Sequence, residues 1–126
     1  MPTKTERIQA GIYCAHWLDH VKIDEVFQAS EAVNQFAEED NVSRFVFIID
    51  ATQTKSIPFD LRMLTKTVDE RYIAILGLNA PYAGEVMGRM FNKFAPVQVE
   101  FFRDRDALME RAEALLASVE EEPTDI

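Results

Sequence analysis

The chain has 126 residues, 48% of them hydrophobic and 28% charged, and carries a formal net charge of −9 from 22 acidic and 13 basic residues. That length supports one hydrophobic core rather than two, and the composition is that of an ordinary globular domain, not a disordered or fibrous chain. The negative balance repels phosphate backbones and anionic bilayers, so no nucleic-acid partner is expected. A single cysteine, Cys14, excludes an intrachain disulfide, and Met1 to Arg7 holds no apolar leader, so the cytoplasm is the expected compartment. No apolar run approaches the roughly 20 residues that a membrane helix needs, so no membrane span is expected.

From Gly11, the β-branched and aromatic run Ile12-Tyr13-Cys14-Ala15-His16-Trp17 reads as a strand, with Ile8-Gln9 as a short segment pairing beside it. Ile23, Val26, Phe27, Ser30, Val33 and Ala37 recur at three- and four-residue steps, predicting an amphipathic helix that ends near Glu39 to Asn41. Phe45-Val46-Phe47-Ile48-Ile49 is continuously apolar, the pattern of a central strand buried on both faces, and it ends at Asp50-Ala51-Thr52. Ser56-Ile57-Pro58 looks like a helix entry, because serine caps, proline suits the first turn and Asp60 suits the positive end of the dipole. Leu61, Leu64 and Val68 supply the buried side of that helix.

Tyr72 to Gly77 is a second inner strand, and Asn79-Ala80-Pro81 opens a helix with Val86, Met87, Met90, Phe91 and Phe94 on one face, closed by Pro96. Val97 to Phe101 alternates apolar with polar, as a strand near a sheet edge does. Asp104 caps a last helix whose stripe is Leu108, Ala112, Leu115, Leu116 and Val119, and the acidic run from Glu120 to Asp125 forms a solvated tail. The result is one α/β domain over residues 8–118 between frayed tails at 1–7 and 119–126. It is built on a mostly parallel sheet of four to five strands with about four helices, covered on both faces.

In such sheets ligands bind beyond the carboxyl ends of the strands, so the loops Leu18 to Lys22, Thr52 to Ile57 and Leu78 to Pro81 are expected to share one functional edge. Gly11, Gly77, Gly84 and Gly88 match no nucleotide-binding spacing, and no Gly-x-Ser-x-Gly elbow exists. Asp50 ends a buried strand as the nucleophile of an aspartyl phosphotransferase does, yet the second carboxylate of that motif is absent at Thr52, and a turn-capping role outweighs catalysis. Cys14, His16, Asp19 and His20 form one cluster with metal-ligand chemistry, Cys14 and His16 pointing to the same side of a strand. With two histidines in the chain, a core role for Cys14 outweighs it. Gly84 and Gly88 with Met87 and Met90 read as core packing rather than as a binding groove. No catalytic residue, metal or cofactor is therefore expected.

The opening Gly11-Ile12-Tyr13, the Phe45 to Asp50 strand, Tyr72 to Leu78, and Val99-Glu100-Phe101-Phe102 followed by Asp104, Asp106, Ala107 and Leu108 together resemble the STAS family over about residues 8–118. That family includes bacterial anti-sigma-factor antagonists and a divergent branch described as SpoIIAA-like or STAS/SEC14-like. The resemblance implies a partner switch by phosphorylation of a serine or threonine where the helix after the central strand begins, within an Asp-Ser-Ser-Gly-like loop. Here that segment runs from Asp50 to Asp60 without the Asp-Ser pair or the glycine. Ser56 is the hydroxyl nearest the helix start and the candidate phosphoacceptor, with a plain capping role weighing more.

The leading functional expectation is a non-enzymatic regulatory module that binds a protein partner, or a second copy of itself as a homodimer, through Asp50, Thr52, Thr54, Ser56 and Phe59. The alternative is a domain that holds a small apolar or lipid-like ligand, suggested by nine phenylalanines, the methionines and the SEC14-like likeness. An enzyme built on Asp50, or on Cys14 with His16 or His20, ranks third. The strand from Val97 to Phe101, if at an edge, offers unpaired backbone groups for self-association.

Overall fold

A computed structural model, describing residues 3–56, 66–93 and 97–120, folds the chain around one five-stranded sheet. The strands β1 (Thr3–Gln9), β2 (Ile12–His20), β3 (Phe45–Ser56), β4 (Tyr72–Leu78) and β5 (Gln98–Phe102) lie side by side in that order. β1 is antiparallel to β2, and β2 to β5 are mutually parallel. The described helices are α1 (Ile23–Glu39), α2 (Tyr82–Phe91) and α3 (Arg105–Glu120). A parallel neighbour is reached only by a crossover, which lifts α1 and α2 out of the sheet plane.

The strands are apolar on both sides because both sides are covered. Tyr13, Ala15 and Trp17 of β2 and Phe45 and Phe47 of β3 pack under α1 and α2, against Val26, Val33 and Met87. The alternate residues, Ile12 and Cys14 of β2 and Val46 and Ile48 of β3, pack under Leu108, Ala112 and Leu116 of α3. This explains the unbroken apolar run in β3, which alternation alone would forbid in a half-wet strand. Aromatic edges meet aromatic faces through the first layer, with ring centroids 4.6 Å apart for Phe45 and Tyr72 and 5.6 Å for Tyr13 and Phe45.

Helix ends follow the sequence signals. α1 stops where Asn41 takes a left-handed φ of 55°, with the Val42 N–H on the Ala37 carbonyl at 3.1 Å and the Asn41 N–H on the Glu38 carbonyl at 3.2 Å. The Asp104 carboxylate accepts the Ala107 N–H at 3.0 Å and so caps α3. The stripe of α1 is buried as expected at Val26, Ser30, Val33 and Ala37.

Two expectations are corrected. Residues Thr3 to Arg7, expected in a frayed tail, form most of β1, because they complete an antiparallel hairpin with β2 about Gly11 at φ 92°. The central strand does not end at Asp50 to Thr52 but runs to Ser56, because β2 continues to pair with it. The three described helices roughly fit the expected count of about four. The start expected for the helix after Ser56 falls on residues 57–65, outside the described ones, and Val68 beyond them packs partly buried against the first layer. Phe94 and Pro96 also lie outside, as does the tail after Glu120. β5 is an edge strand as expected, and the Asn92 side chain occupies its outer side, accepting the Val99 N–H at 2.8 Å and donating to the Val99 carbonyl at 3.2 Å.

A polar latch ties the hairpin to the end of α1. Asp40 accepts the Tyr13 hydroxyl at 2.7 Å and Arg7 Nε at 2.9 Å, while Arg7 also reaches Glu39 at 2.8 Å and lies 4.6 Å above the Phe36 ring. The Tyr13 hydrogen bond, helped by Arg7, holds the Asp40 carboxyl below its usual range. Burial, helped by Asp40, pushes the Tyr13 hydroxyl up to about 12.

Two predictions follow from this packing. Gly88 in α2 lies against Phe101 so closely that a Cβ there would enter the ring, so Gly88→Ala destabilises by about 1–3 kcal/mol in urea denaturation, and adding Phe101→Leu recovers most of the loss. The latch contributes fully between the unfolded pKa values of about 4 for Asp and about 10 for Tyr. Its contribution fades as pH falls through the depressed Asp40 value, and fades again as pH rises from the unfolded Tyr value toward about 12. Urea midpoints measured across pH therefore decline less at both ends in Tyr13→Phe than in the parent.

Candidate functional site

β4 last pairs with β3 at Leu78 opposite Asp50, whereas β2 follows β3 as far as His20 opposite Ser56. Beyond Asp50 the sheet thus narrows to a two-stranded ribbon, with register shifts after His16 and after Asp19, whose φ is 52°. Thr52 to Ser56, expected as a loop, are ribbon strand. Thr54 Oγ1 donates to the Trp17 carbonyl at 2.9 Å, Ser56 Oγ meets His20 Nδ1 at 2.7 Å, and Lys55 lies 3.5 Å from Asp19. The helix that Ser56 was expected to cap, and the expected contact residue Phe59, lie outside the described residues.

At the foot of the ribbon, on the α3 side, the Asp50 side chain is only 11% exposed and fully engaged. Oδ1 accepts the Thr52 N–H at 3.1 Å and its hydroxyl at 2.6 Å; Oδ2 meets His16 Nδ1 at 3.1 Å and Arg105 at 3.0 Å. Asn79, at φ 55° after β4, donates to Thr52 Oγ1 at 3.0 Å and so joins the third strand to the network. Burial pushes the Asp50 carboxyl up, but the donors from Thr52, His16 and Arg105 outweigh it and hold the pKa below the usual range. Asp50 was expected to cap a turn at the strand end, but β3 continues past it, and its Oδ1 instead bonds Thr52 two residues on within the strand.

His16 Nε2 points the other way, 2.6 Å from Glu6 Oε1 on β1 and 3.7 Å from Cys14 Sγ. Burial first, then the charges of Asp50 and Glu6, push the Cys14 thiol up to about 12, so on its own it is a protonated core residue. The expected cluster of Cys14, His16, Asp19 and His20 does not assemble: the ribbon carries Asp19 to Lys55 and His20 to Ser56, and Glu6 takes their place. Sequence reading missed Glu6, Asn79 and Arg105. Glu6 was hidden by the tail assignment, although a polar residue within a strand that pairs beside Cys14 is a legible signal once the hairpin is drawn. Arg105 carries no local signal at all.

The opposite face holds a different feature. Between the sheet and the helices α1 and α2 lies a cavity of about 120 Å³, walled by Trp17, Phe47, Ile49, Ile75, Met87 and Phe91 among others. Its polar rim includes Ser30, whose hydroxyl meets Tyr72 Oη at 3.1 Å and donates to the Thr67 carbonyl at 2.8 Å. Trp17 is 7% exposed, and its buried indole N–H has no hydrogen-bond partner among the described residues.

No protein-family model matches the sequence, and no curated protein matches it. The fold has solved counterparts. An uncharacterised protein of the DUF3478 family with a SpoIIAA-like fold, from Shewanella loihica, superposes with a TM-score of 0.62 at 16% identity, covering 87% of this chain and 91% of that one. The anti-sigma factor antagonist SpoIIAA in its unphosphorylated form superposes with a TM-score of 0.54 at 11% identity, covering 88% and 97%. The chain therefore has a SpoIIAA-like fold, the fold that the resemblance implied. Among the described residues no helix is long and apolar enough to cross a membrane.

The Asp50 network makes a graded prediction. Asp50→Ala strips a partner from Arg105, His16 and Thr52 together and costs about 2–3 kcal/mol in urea denaturation, whereas Thr52→Val removes one hydroxyl and costs about 1 kcal/mol.

Proposed function

We propose that this chain is a non-enzymatic regulatory domain of the STAS type whose signal is a small apolar molecule carrying a neutral hydrogen-bond acceptor, held between the sheet and α1 and α2. The observation that carries the reading is the apolar cavity lined in part by Trp17, whose buried indole N–H is unpartnered among the described residues. A buried donor without an acceptor costs about 1–3 kcal/mol, which a ligand carbonyl or ether would recover. The cavity is of the order that takes a benzene ring, so an aromatic or short alkyl group fits better than a long acyl chain. A net charge of −9 favours an uncharged acceptor over a carboxylate. The non-enzymatic part is supported by an Asp50 carboxylate whose two oxygens are both engaged by donors.

Acetophenone and ethylbenzene, which share a ring and differ by the carbonyl, serve as probes in amide NMR titrations. Acetophenone is expected to shift resonances around Trp17, Phe47 and Met87, and Trp17→Phe to weaken it at least about fivefold while leaving ethylbenzene unaffected. Ala51→Leu, which adds carbons to the cavity wall, abolishes both. Shifts confined to other residues, or none, refute the reading.

A second reading is favoured by the ribbon, which puts the exposed Thr52 and Ser56 beyond β4, and by the likeness to SpoIIAA. In it the ribbon end contacts a cytoplasmic protein partner and works without the family's usual phosphoswitch, because Asp50 to Asp60 lacks the Asp-Ser pair and Ser56 is engaged by His20. A pull-down in which Ser56→Asp and Phe59→Ala retain every partner of the parent chain counts against it.

A further inference from the structure

We propose that Glu6, Cys14 and His16 form a site for one zinc-type divalent cation, with Asp50 as the positioning residue that aims the imidazole. The three side chains present a carboxylate oxygen, a thiol sulfur and an imidazole nitrogen, all within 4.8 Å of one another. Ligand atoms at ordinary zinc bond lengths in a tetrahedron stand roughly 3.3–3.7 Å apart. The 3.7 Å from His16 Nε2 to Cys14 Sγ already matches that spacing. The 2.6 Å from Nε2 to Glu6 Oε1 is too short, and the cation needs Oε1 to withdraw by under about 1 Å, a rotamer adjustment open to a side chain that is 44% exposed.

The surroundings are those of a metal site. A ligating histidine ordinarily gives its other ring nitrogen to a carboxylate, which fixes the tautomer and the ring plane; here Nδ1 faces Asp50 Oδ2 at 3.1 Å. Arg105 and Thr52 in turn hold Asp50 in place, so the ring cannot swing away from Cys14 without breaking its bond to a fixed carboxylate. Antiparallel pairing sets Glu6 opposite Cys14, which fixes the two ligands by backbone register. Mixed sulfur, nitrogen and oxygen donors suit zinc and its neighbours rather than magnesium or calcium.

Charge also balances. On binding, the Cys14 thiol proton leaves to solvent, and His16 Nε2 ligates as the lone-pair nitrogen of a neutral imidazole. The thiolate, Glu6, Asp50 and Arg105 then carry a net charge of minus two, which one divalent cation neutralises. The described residues supply three ligands, so water completes the tetrahedron.

The test uses the metal alone on the full chain. Cobalt(II) is expected to bind once per chain with a thiolate-to-metal charge-transfer band and the visible spectrum of a four-coordinate ion, and zinc(II) to displace it. Glu6→Gln, His16→Ala and Cys14→Ser each weaken binding at least about tenfold, and Asp50→Asn weakens it by about tenfold while keeping the thiolate band. His20→Ala changes nothing. If Cys14→Ser fails to fold, Glu6→Gln on the exposed edge strand reads the same site without disturbing the core. A cobalt spectrum without the thiolate band, affinity that survives Glu6→Gln, or affinity that depends on His20 overturns the proposal.

Discussion

One carboxylate gathers the end of the sheet. Asp50 is where β3 passes from the covered part of the molecule into the ribbon, and burying it is tolerable only because four donors from three other positions converge on it. Those donors come from β2, from the start of α3 and from β3 itself, with Asn79 after β4 joined through Thr52. The position of the helix start, the plane of the His16 ring and the exit of the chain from β4 are all referred to this group. Its low pKa is the electrostatic trace of that dependence.

The two faces of the sheet consequently divide labour by polarity. On the α3 side the apolar packing of Leu108, Ala112 and Leu116 gives way, toward the carboxyl ends, to charge and hydrogen bonds. On the other side apolar packing continues past Trp17 and Phe47 and leaves a cavity instead of a network. β2 serves both, since successive residues point to opposite faces: His16 stands in the polar network and Trp17 beside the cavity. A ligand against the Trp17 indole and a cation at His16 would act on adjacent residues of one strand, through a shared backbone.

How much of this the sequence discloses depends on whether the signal is periodic or merely convergent. The Phe45 to Ile49 run, the α1 stripe and the Asp104 cap are local and periodic, and each is found in place. Ser56 illustrates the opposite case: its identity and the following proline suggest a helix entry, while the strand it ends is sustained by pairing with β2, a long-range event. Thr3 to Arg7 likewise lack a strong strand pattern and become strand because β2 offers an edge. The Asp50 network draws on positions 16, 52, 79 and 105, and no spacing rule connects them before the sheet order is known. A cavity leaves no mark on composition beyond an excess of large apolar residues, so its place emerged from packing alone.

Asn92 has a consequence for how copies of this chain can meet. By bonding both main-chain groups of Val99, its amide imitates the rung of a neighbouring strand on a strand only five residues long. An incoming strand would have to expel that amide before forming its own ladder there, so lateral growth of the sheet on the β5 side is blocked by a single side chain. Proteins with open edges often rely on charge or brevity to stay apart; this chain adds a covalently tethered plug. At the β5 edge, association between copies is thereby directed away from continuous β-sheet and toward side-chain surfaces, and β1 is left as the edge where a strand could still be added.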